Sequence, residues 1–286
     1  MFKSLYAMAY IEIGCFYSAE AASSMRNMAS KLNEEKSVTG RAFAVLDTFD
    51  SSHRHQNLTA IAKRAGLPLS TVHRLATELV SQNALSKSAD GTYQIGSKIW
   101  RLGILASIHS DLREIALPYM EDVYQLTNGA VQIAVLDGLR CLIVERIAGS
   151  RTLSVVSRPG ARLPMHASGV GKVLLAYGPK DLQEAVLQTL DRFTGKTVTD
   201  VNQMRKQLAG IKEKGFAHSE EELAIGATSL AVPVFGYGNR VIASIGVVVP
   251  VQSADVARTI PVLKVSANAL SRKLIANGMG DVGQRL

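Results

Sequence analysis

Cysteine is scarce in this chain. Cys15 and Cys141 are its only two, so neither a disulfide framework nor a zinc site built on cysteines can form within one copy. No run of eighteen or more uninterrupted apolar residues offers a membrane span. Acidic residues are outnumbered, 24 against 32 Lys and Arg, which leaves a net charge of +8. Such a surplus suits a polyanionic partner without identifying one. Hydrophobic residues reach 47% and charged residues 20%, a balance that excludes disorder throughout. At 286 residues, two domains with separate cores are expected, in a reducing compartment read as the cytoplasm.

Residues 1 to 36 are set apart. The opening run has some features of a secretory signal, but Glu12 interrupts its apolar core and Glu20 sits where cleavage would occur. It is read as a flexible arm, or as a start misplaced upstream of Met25 or Met28.

The strongest pattern lies between 37 and 96. Val38, Ala42, Val45, Leu46 and Phe49 keep the spacing that gives a helix one buried stripe. A second amphipathic helix, Leu58 to Ala65, stops at Gly66, which accepts a left-handed turn. The third helix starts at Pro68, with an apolar stripe of Val72, Leu75, Ala76 and Leu79. Its other face carries Ser70, Thr71, His73, Arg74 and Thr77. A helix, short turn and helix of this kind place the second helix in the major groove, where hydroxyls and a guanidinium meet bases and phosphates. Ala84 to Lys87 and Thr92 to Ile95 then read as a hairpin wing around Asp90-Gly91, with Lys87 near the DNA backbone. From 37 to 105 eight basic residues face four acids, a net of +4.

Together with Arg41-Ala-Phe-Ala-Val-Leu, the runs LTAIAKRAGLPLSTVHRLATELV and GTYQIGSKIWRLG resemble the winged DNA-binding domain of IclR-family transcriptional regulators. RPGARLPMHASGVGKVLLAY at 158 to 177 and GFAHSEEELAIGATSLAVPVF at 215 to 235 resemble that family's effector-domain signatures. The resemblance spans roughly residues 37 to 277. It implies an α+β protein: a winged helix-turn-helix over 37 to 96, a linker helix over 97 to 117, and a GAF-like effector domain over 118 to 286. It also implies double-stranded DNA and a small molecule as partners, with assembly into homodimers or dimers of dimers. Two copies related by a two-fold axis would read a near-palindromic operator.

The residues beyond the wing agree with that layout. Leu105, Ile108, Leu112 and Ile115 repeat at helical spacing until Pro118, which predicts one long helix able to join domains or pair with a second copy. Val131 to Leu136 pairs with Cys141 to Ile147, and Thr228 to Phe235 with Arg240 to Val249, as two hairpins. Helical patterns at 169 to 177, 181 to 190, 201 to 214 and 254 to 276 would cover the sheet they form.

Ser168-Gly-Val-Gly-Lys172 invites comparison with a phosphate loop, but residue 166 is His where a Gly is needed and Val173 replaces the magnesium-binding hydroxyl. N–H groups at such a helix start can still receive a carboxylate, and the resemblance places the backbone of Gly169 and Val170 in the effector pocket. Close packing of helix on sheet is the alternative. Where acid-sensing members of the family carry an Asp and a Cys, this chain has Ser219 and Ser229; where they carry two serines on the last strand, it has Gly246 and Val248. A less polar pocket results, suited to an aromatic or longer acid rather than a tiny keto acid. Catalysis by His166, Ser168 and Glu221 or Glu222 is not expected, because residues two apart in sequence diverge. Neither a cofactor nor a metal is expected; His166 and His218 lack ligand spacing. Cys141 reads as buried rather than redox-active. A DNA-binding protein without ligand control and a hydrolytic enzyme are the competing classes.

Overall fold

The computed structural model describes residues 37–50, 53–103, 105, 107–149 and 157–279, so the arm or displaced start expected at 1 to 36 lies outside them. The chain divides into two compact units between Leu105 and Ala106.

In the first unit, helix α1 (Val38–Leu46) starts where the Ser37 side chain accepts the Gly40 N–H at 2.8 Å. Its buried contact is Val45, whereas Val38 is 55% exposed, so the stripe expected from Val38 begins one turn later. Asn57 caps α2 (Leu58–Ala65) by accepting the Ala60 N–H at 2.9 Å, and Gly66 ends it at φ +64°. Helix α3 (Leu69–Ser81) follows Pro68 directly. Val45, Ile61, Val72, Leu75, Ala76, Leu85 and Tyr93 close into one core beneath α1, α2 and α3. The wing is a short antiparallel pair, β1 (Leu85–Lys87) and β2 (Tyr93–Ile95), with Lys87 opposite Tyr93. Its base is tied down by a two-way backbone pair between Gln56 and Tyr93.

The single helix expected from residue 97 to Pro118 is instead two. Helix α4 (Ser97–Gly103) is short, and α5 (Ser107–Thr127) runs straight through Pro118. A mid-helix proline costs about 3 kcal/mol. Leu112, Met120 and Val123 flank it and are buried on the second unit's core, at about 1.5 to 3 kcal/mol each, which outweighs that cost. Leu112 and Ile115, expected on a free seam, therefore pack inward, and Leu105 is exposed.

The second unit is an antiparallel sheet of six strands in the order β5-β4-β3-β8-β7-β6. Its strands are β3 (Ala130–Asp137), β4 (Arg140–Ile147), β5 (Arg162–Pro164), β6 (Ala217–Glu220), β7 (Ala227–Phe235) and β8 (Val241–Pro250). The edge strands β5 and β6, absent from the sequence reading, have three and four residues, too few to display a period. Helices α5 and α9 (Val256–Ala276) cover one face, where Val131, Ile133, Ile245, Val247, Leu263 and Leu270 meet. On the other face lie α6 (Gly169–Tyr177), α7 (Lys180–Leu187) and α8 (Val201–Lys214), packed through Val170, Val173, Leu175, Met204 and Leu208 onto Ala134, Ile143 and Ala231. Alternation along β3 thus sends Val131 and Ile133 to the first face and Gln132 and Ala134 to the second. Among the described residues no helix is long and apolar enough to cross a membrane. The architecture is α+β, a helical N-terminal unit followed by an antiparallel sheet with covering helices.

Candidate functional site

Two surfaces carry chemistry, one in each unit. On α3, burial of Val72, Leu75 and Ala76 turns the opposite side outward, where Ser70, His73, Arg74 and Thr77 are exposed and Thr71 is half-buried. Among the described residues the Arg74 guanidinium makes no ion pair or side-chain hydrogen bond, whereas Arg64 is spent on Asp50 and the Thr48 carbonyl. Thr77 Oγ1 donates to the His73 carbonyl at 2.9 Å and keeps its acceptor capacity. At the wing tip Asp90 accepts from the Thr92 N–H and hydroxyl at 3.0 and 2.7 Å, bonds that hold its carboxyl below the usual range. Gly91 takes φ +83° to complete the turn. Exposed Lys87 sits with Nζ 5.5 Å from the Tyr93 ring.

In the second unit, a small cavity of about 30 Å³, partly open to solvent, lies between the sheet and the start of α6. Register builds one wall. Ser219 on β6 stands opposite Ser229 on β7, which stands opposite Val248 on β8, so the three form a cross-strand row. All three line the cavity, with Ser168, Leu223 and others. Gly169 opens α6 beside that row: a Cβ there would stand 2.5 Å from the rotatable Ser229 Oγ and 3.2 Å from the Ser229 Cβ and carbonyl oxygen, a tight approach that glycine eases. The helix start has no side-chain cap, because Ser168 Oγ donates to the Pro164 carbonyl at 2.7 Å instead. Val170 and Gly246 lie beside the cavity rather than on it. Val170 is fully buried, and its Cγ1 would lie 3.0 Å from a Cβ on Gly246. Helix-on-sheet packing therefore accounts for that glycine.

Several lining groups escaped the sequence reading. Gln132 and Ser157 are only 2% and 1% exposed and line the cavity. Among the described residues, Gln132 Oε1, Ser157 Oγ and Ser229 Oγ meet no hydrogen-bond partner. Glu222 also lines the cavity, and its carboxylate pairs with the ammonium of Lys172, a side chain wholly enclosed on α6. Lys172 Nζ further donates to Gln207 Oε1 on α8 at 2.8 Å. Burial pulls the Lys172 ammonium below its ordinary value, and the Glu222 carboxylate resists that shift. The signal for Gln132 was present, a single polar residue on the inward face of an apolar strand; Ser157 sits in no pattern.

The remaining candidates are engaged elsewhere. His166 Nε2 meets the Asp191 carbonyl at 2.9 Å, and burial lowers the imidazole's pKa, so the ring is neutral and donates there. Cys141 is buried and its thiol is pushed up to about 11, far from a reactive thiolate. Among the described residues no three His, Cys, Asp or Glu side chains gather as a metal site would need.

Known proteins match both units. The IclR helix-turn-helix domain matches residues 38–88, and the bacterial transcriptional regulator IclR C-terminal domain matches residues 105–272. The HTH-type transcriptional regulator XynR of Escherichia coli K12 is 31% identical over 82% of this chain and 95% of its own. BhcR of Paracoccus denitrificans is 32% identical over 76% of this chain and 79% of its own. A crystal structure of an IclR homolog from Microbacterium hydrocarbonoxydans, complexed with 4-hydroxybenzoate, is 36% identical with a TM-score of 0.77, covering 84% of this chain and 100% of that one. With its winged helix-turn-helix ahead of the matched C-terminal domain, the chain belongs to the IclR family of bacterial transcriptional regulators.

Proposed function

We propose that this regulator reads a near-palindromic operator as a homodimer or dimer of dimers, and that an organic acid in the second unit's cavity tunes its DNA affinity. Helix α3 enters the major groove. Ser70 and Thr71 approach phosphates and base edges with their short hydroxyls, His73 and Thr77 flank them, and Arg74 takes a guanine or phosphate in a bidentate way. Lys87 on the wing contacts the backbone and contributes without regard to sequence.

The observation that carries the ligand half is the pairing of an uncapped α6 start with the unpartnered Ser229 hydroxyl beside it. The N–H group of Gly169 at the start of α6 and that hydroxyl together make a receptor for a carboxylate, with Val170 behind them packing the helix on the sheet. Ser219 donates to the Ala167 carbonyl at 3.0 Å and shapes the loop ahead of the helix. Val248 supplies an apolar wall, while Gly246 lets α6 approach the sheet. Leu163, Leu223 and Val248 favour an acid with an apolar body, in keeping with the aromatic acid bound by the 36% identical homolog.

A ligand changes DNA affinity only if it binds the two functional arrangements unequally; a coupling of about 1 to 3 kcal/mol shifts operator affinity roughly 5- to 150-fold. Footprinting of the purified chain on its own upstream region, with and without aromatic and aliphatic acids, tests the whole reading. A symmetric footprint that an acid shifts within that range supports it, and a footprint indifferent to every acid removes the ligand half. Calorimetry decides the effector class: tight binding of a two- or three-carbon keto acid, with none of aromatic or longer acids, defeats the apolar assignment.

A further inference from the structure

Strand β6 ends the sheet, and among the described residues no strand pairs with its outer side. The Glu221 N–H donates to the Ala227 carbonyl at 2.8 Å, and the register continues through Ser219 opposite Ser229 and Ala217 opposite Ala231. Bonded pairs alternate along an antiparallel ladder, so the N–H and C=O groups of His218 and Glu220 point outward from the sheet's edge. Beside that edge runs an open slot of about 460 Å³, bounded by α8 from one face of the sheet and by Val256, the first residue of α9, from the other. A further strand would lie there. Lys206 and Lys214 line the slot eight residues apart on α8, about 12 Å, the length of four strand residues. Among the described residues neither ammonium has a partner and no acid lines the slot; Glu220, on the strand itself, is held by Lys196 at 3.0 Å. Gly210 sits mid-helix on the slot wall, where a Cβ would meet nothing within 4 Å. Glycine weakens a helix relative to alanine, and packing among the described residues gives no reason for it here. Its missing side chain keeps the slot open.

We propose that this slot docks an extended acidic segment of a partner protein, which adds to β6 as a seventh strand. The outward backbone groups of His218 and Glu220 bond the segment, alternate carboxylates reach Lys206 and Lys214, and the side chains between them meet Phe216 and Val256. Two other occupants fit less well. A second copy on a two-fold axis would set Lys206 and Lys214 against the same cations of its mate, with no acid between them. A DNA backbone matches the cations but brings no donor to the outward carbonyls. Short edge strands flanked by lysine also resist unwanted pairing, but an open glycine on the neighbouring helix does not serve that end.

Fluorescence anisotropy on the full chain tests the assignment with three labelled heptapeptides: alternating Glu and Val, the same with Lys for Glu, and the first with Pro for its central Val. The acidic peptide should bind at least about tenfold more tightly than the other two, and salt should weaken it. Hydrogen exchange at the His218 and Glu220 amides should slow when it is bound. Lys206→Glu combined with Lys214→Glu should cost about tenfold or more and turn the preference toward the basic peptide. Gly210→Leu should block the acidic peptide while the melting temperature holds or rises, because leucine favours the helix and finds open space. Binding of the acidic peptide weaker than about 1 mM, or equal affinity for the acidic and basic peptides, overturns the proposal. So does Gly210→Leu that folds and binds like the parent. Smaller assemblies in sedimentation of the double lysine variant assign the slot to a second copy, and displacement of the peptide by random duplex DNA assigns it to nucleic acid; either result overturns the proposal.

Discussion

Replacing Lys172 by Met isolates the most expensive polar feature of the second unit. The ammonium and the Glu222 carboxylate are both almost wholly enclosed, with side-chain exposures of 1% and 6%. Removing the cation strands the carboxylate in a low-dielectric wall, and breaking a buried pair in this way costs about 3 to 5 kcal/mol. For a unit of this size each kcal/mol moves the melting temperature about 2 to 4 °C, so a fall of roughly 6 to 20 °C is expected in the transition of the second unit. Scanning calorimetry of parent and variant at neutral pH should show that gap. Lys172→Met combined with Glu222→Gln should regain at least half of the loss, since no buried charge remains. A single variant melting within about 2 °C of the parent refutes the reasoning.

Arg74→Ala should weaken operator binding by about 1 to 3 kcal/mol and relax its sequence preference while leaving the thermal transition of the second unit in place; unchanged footprints count against the docking of α3. Lys87→Ala should weaken specific and random DNA alike and lower the salt slope by about one for each phosphate the side chain neutralises, as read from binding titrations at several salt concentrations. The buried imidazole of His166 is held below its ordinary value of 6.5. The unfolded chain therefore binds more protons there, and the stability this group contributes is present above 6.5 and lost as pH falls below it. His166→Gln should flatten that part of the stability profile in calorimetry from about pH 7.5 to about pH 5. A Cβ at Gly171 would stand 2.6 Å from Met165 Cα and 2.8 Å from its carbonyl oxygen, both backbone atoms that cannot swing aside. Gly171→Ala should thus cost about 1 to 3 kcal/mol, visible as a lower melting temperature with operator binding unchanged.

Where burial is one-sided and periodic, the fold was readable in the residues. The α3 stripe of Val72, Leu75 and Ala76 and the strict Gly66 stop both follow from local rules, and both stand in the structure as expected. Pro118 misled because its local cost is visible in sequence while the compensating burial of Leu112, Met120 and Val123 depends on α9 and the sheet, distant in the chain. The cavity was legible only where the resemblance named residues. It led to Ser219, Ser229 and Val248, which share a cross-strand row, and to Gly169 beside them. Gln132, Ser157 and Glu222 come from three separate stretches, and only the register of β3 on β8 and the turn after β6 bring them to one wall. Lys172 advertised itself as the single charge in the apolar run Gly169–Tyr177, but its partner Glu222 lies 50 residues on, beyond any periodicity argument.

Unpaired oxygens on the cavity wall also bear on how a ligand could exert control. Among the described residues Ser229, Gln132 and Ser157 each leave a side-chain oxygen without a partner, and an oxygen left so when fully buried costs about 1 to 3 kcal/mol. A ligand that satisfies them recovers part of that energy only while the wall keeps its present register. The coupling a regulator needs is itself about 1 to 3 kcal/mol. Full pairing of one of these oxygens in one arrangement, and its loss in the other, therefore suffices for regulation without any new charge or large repacking.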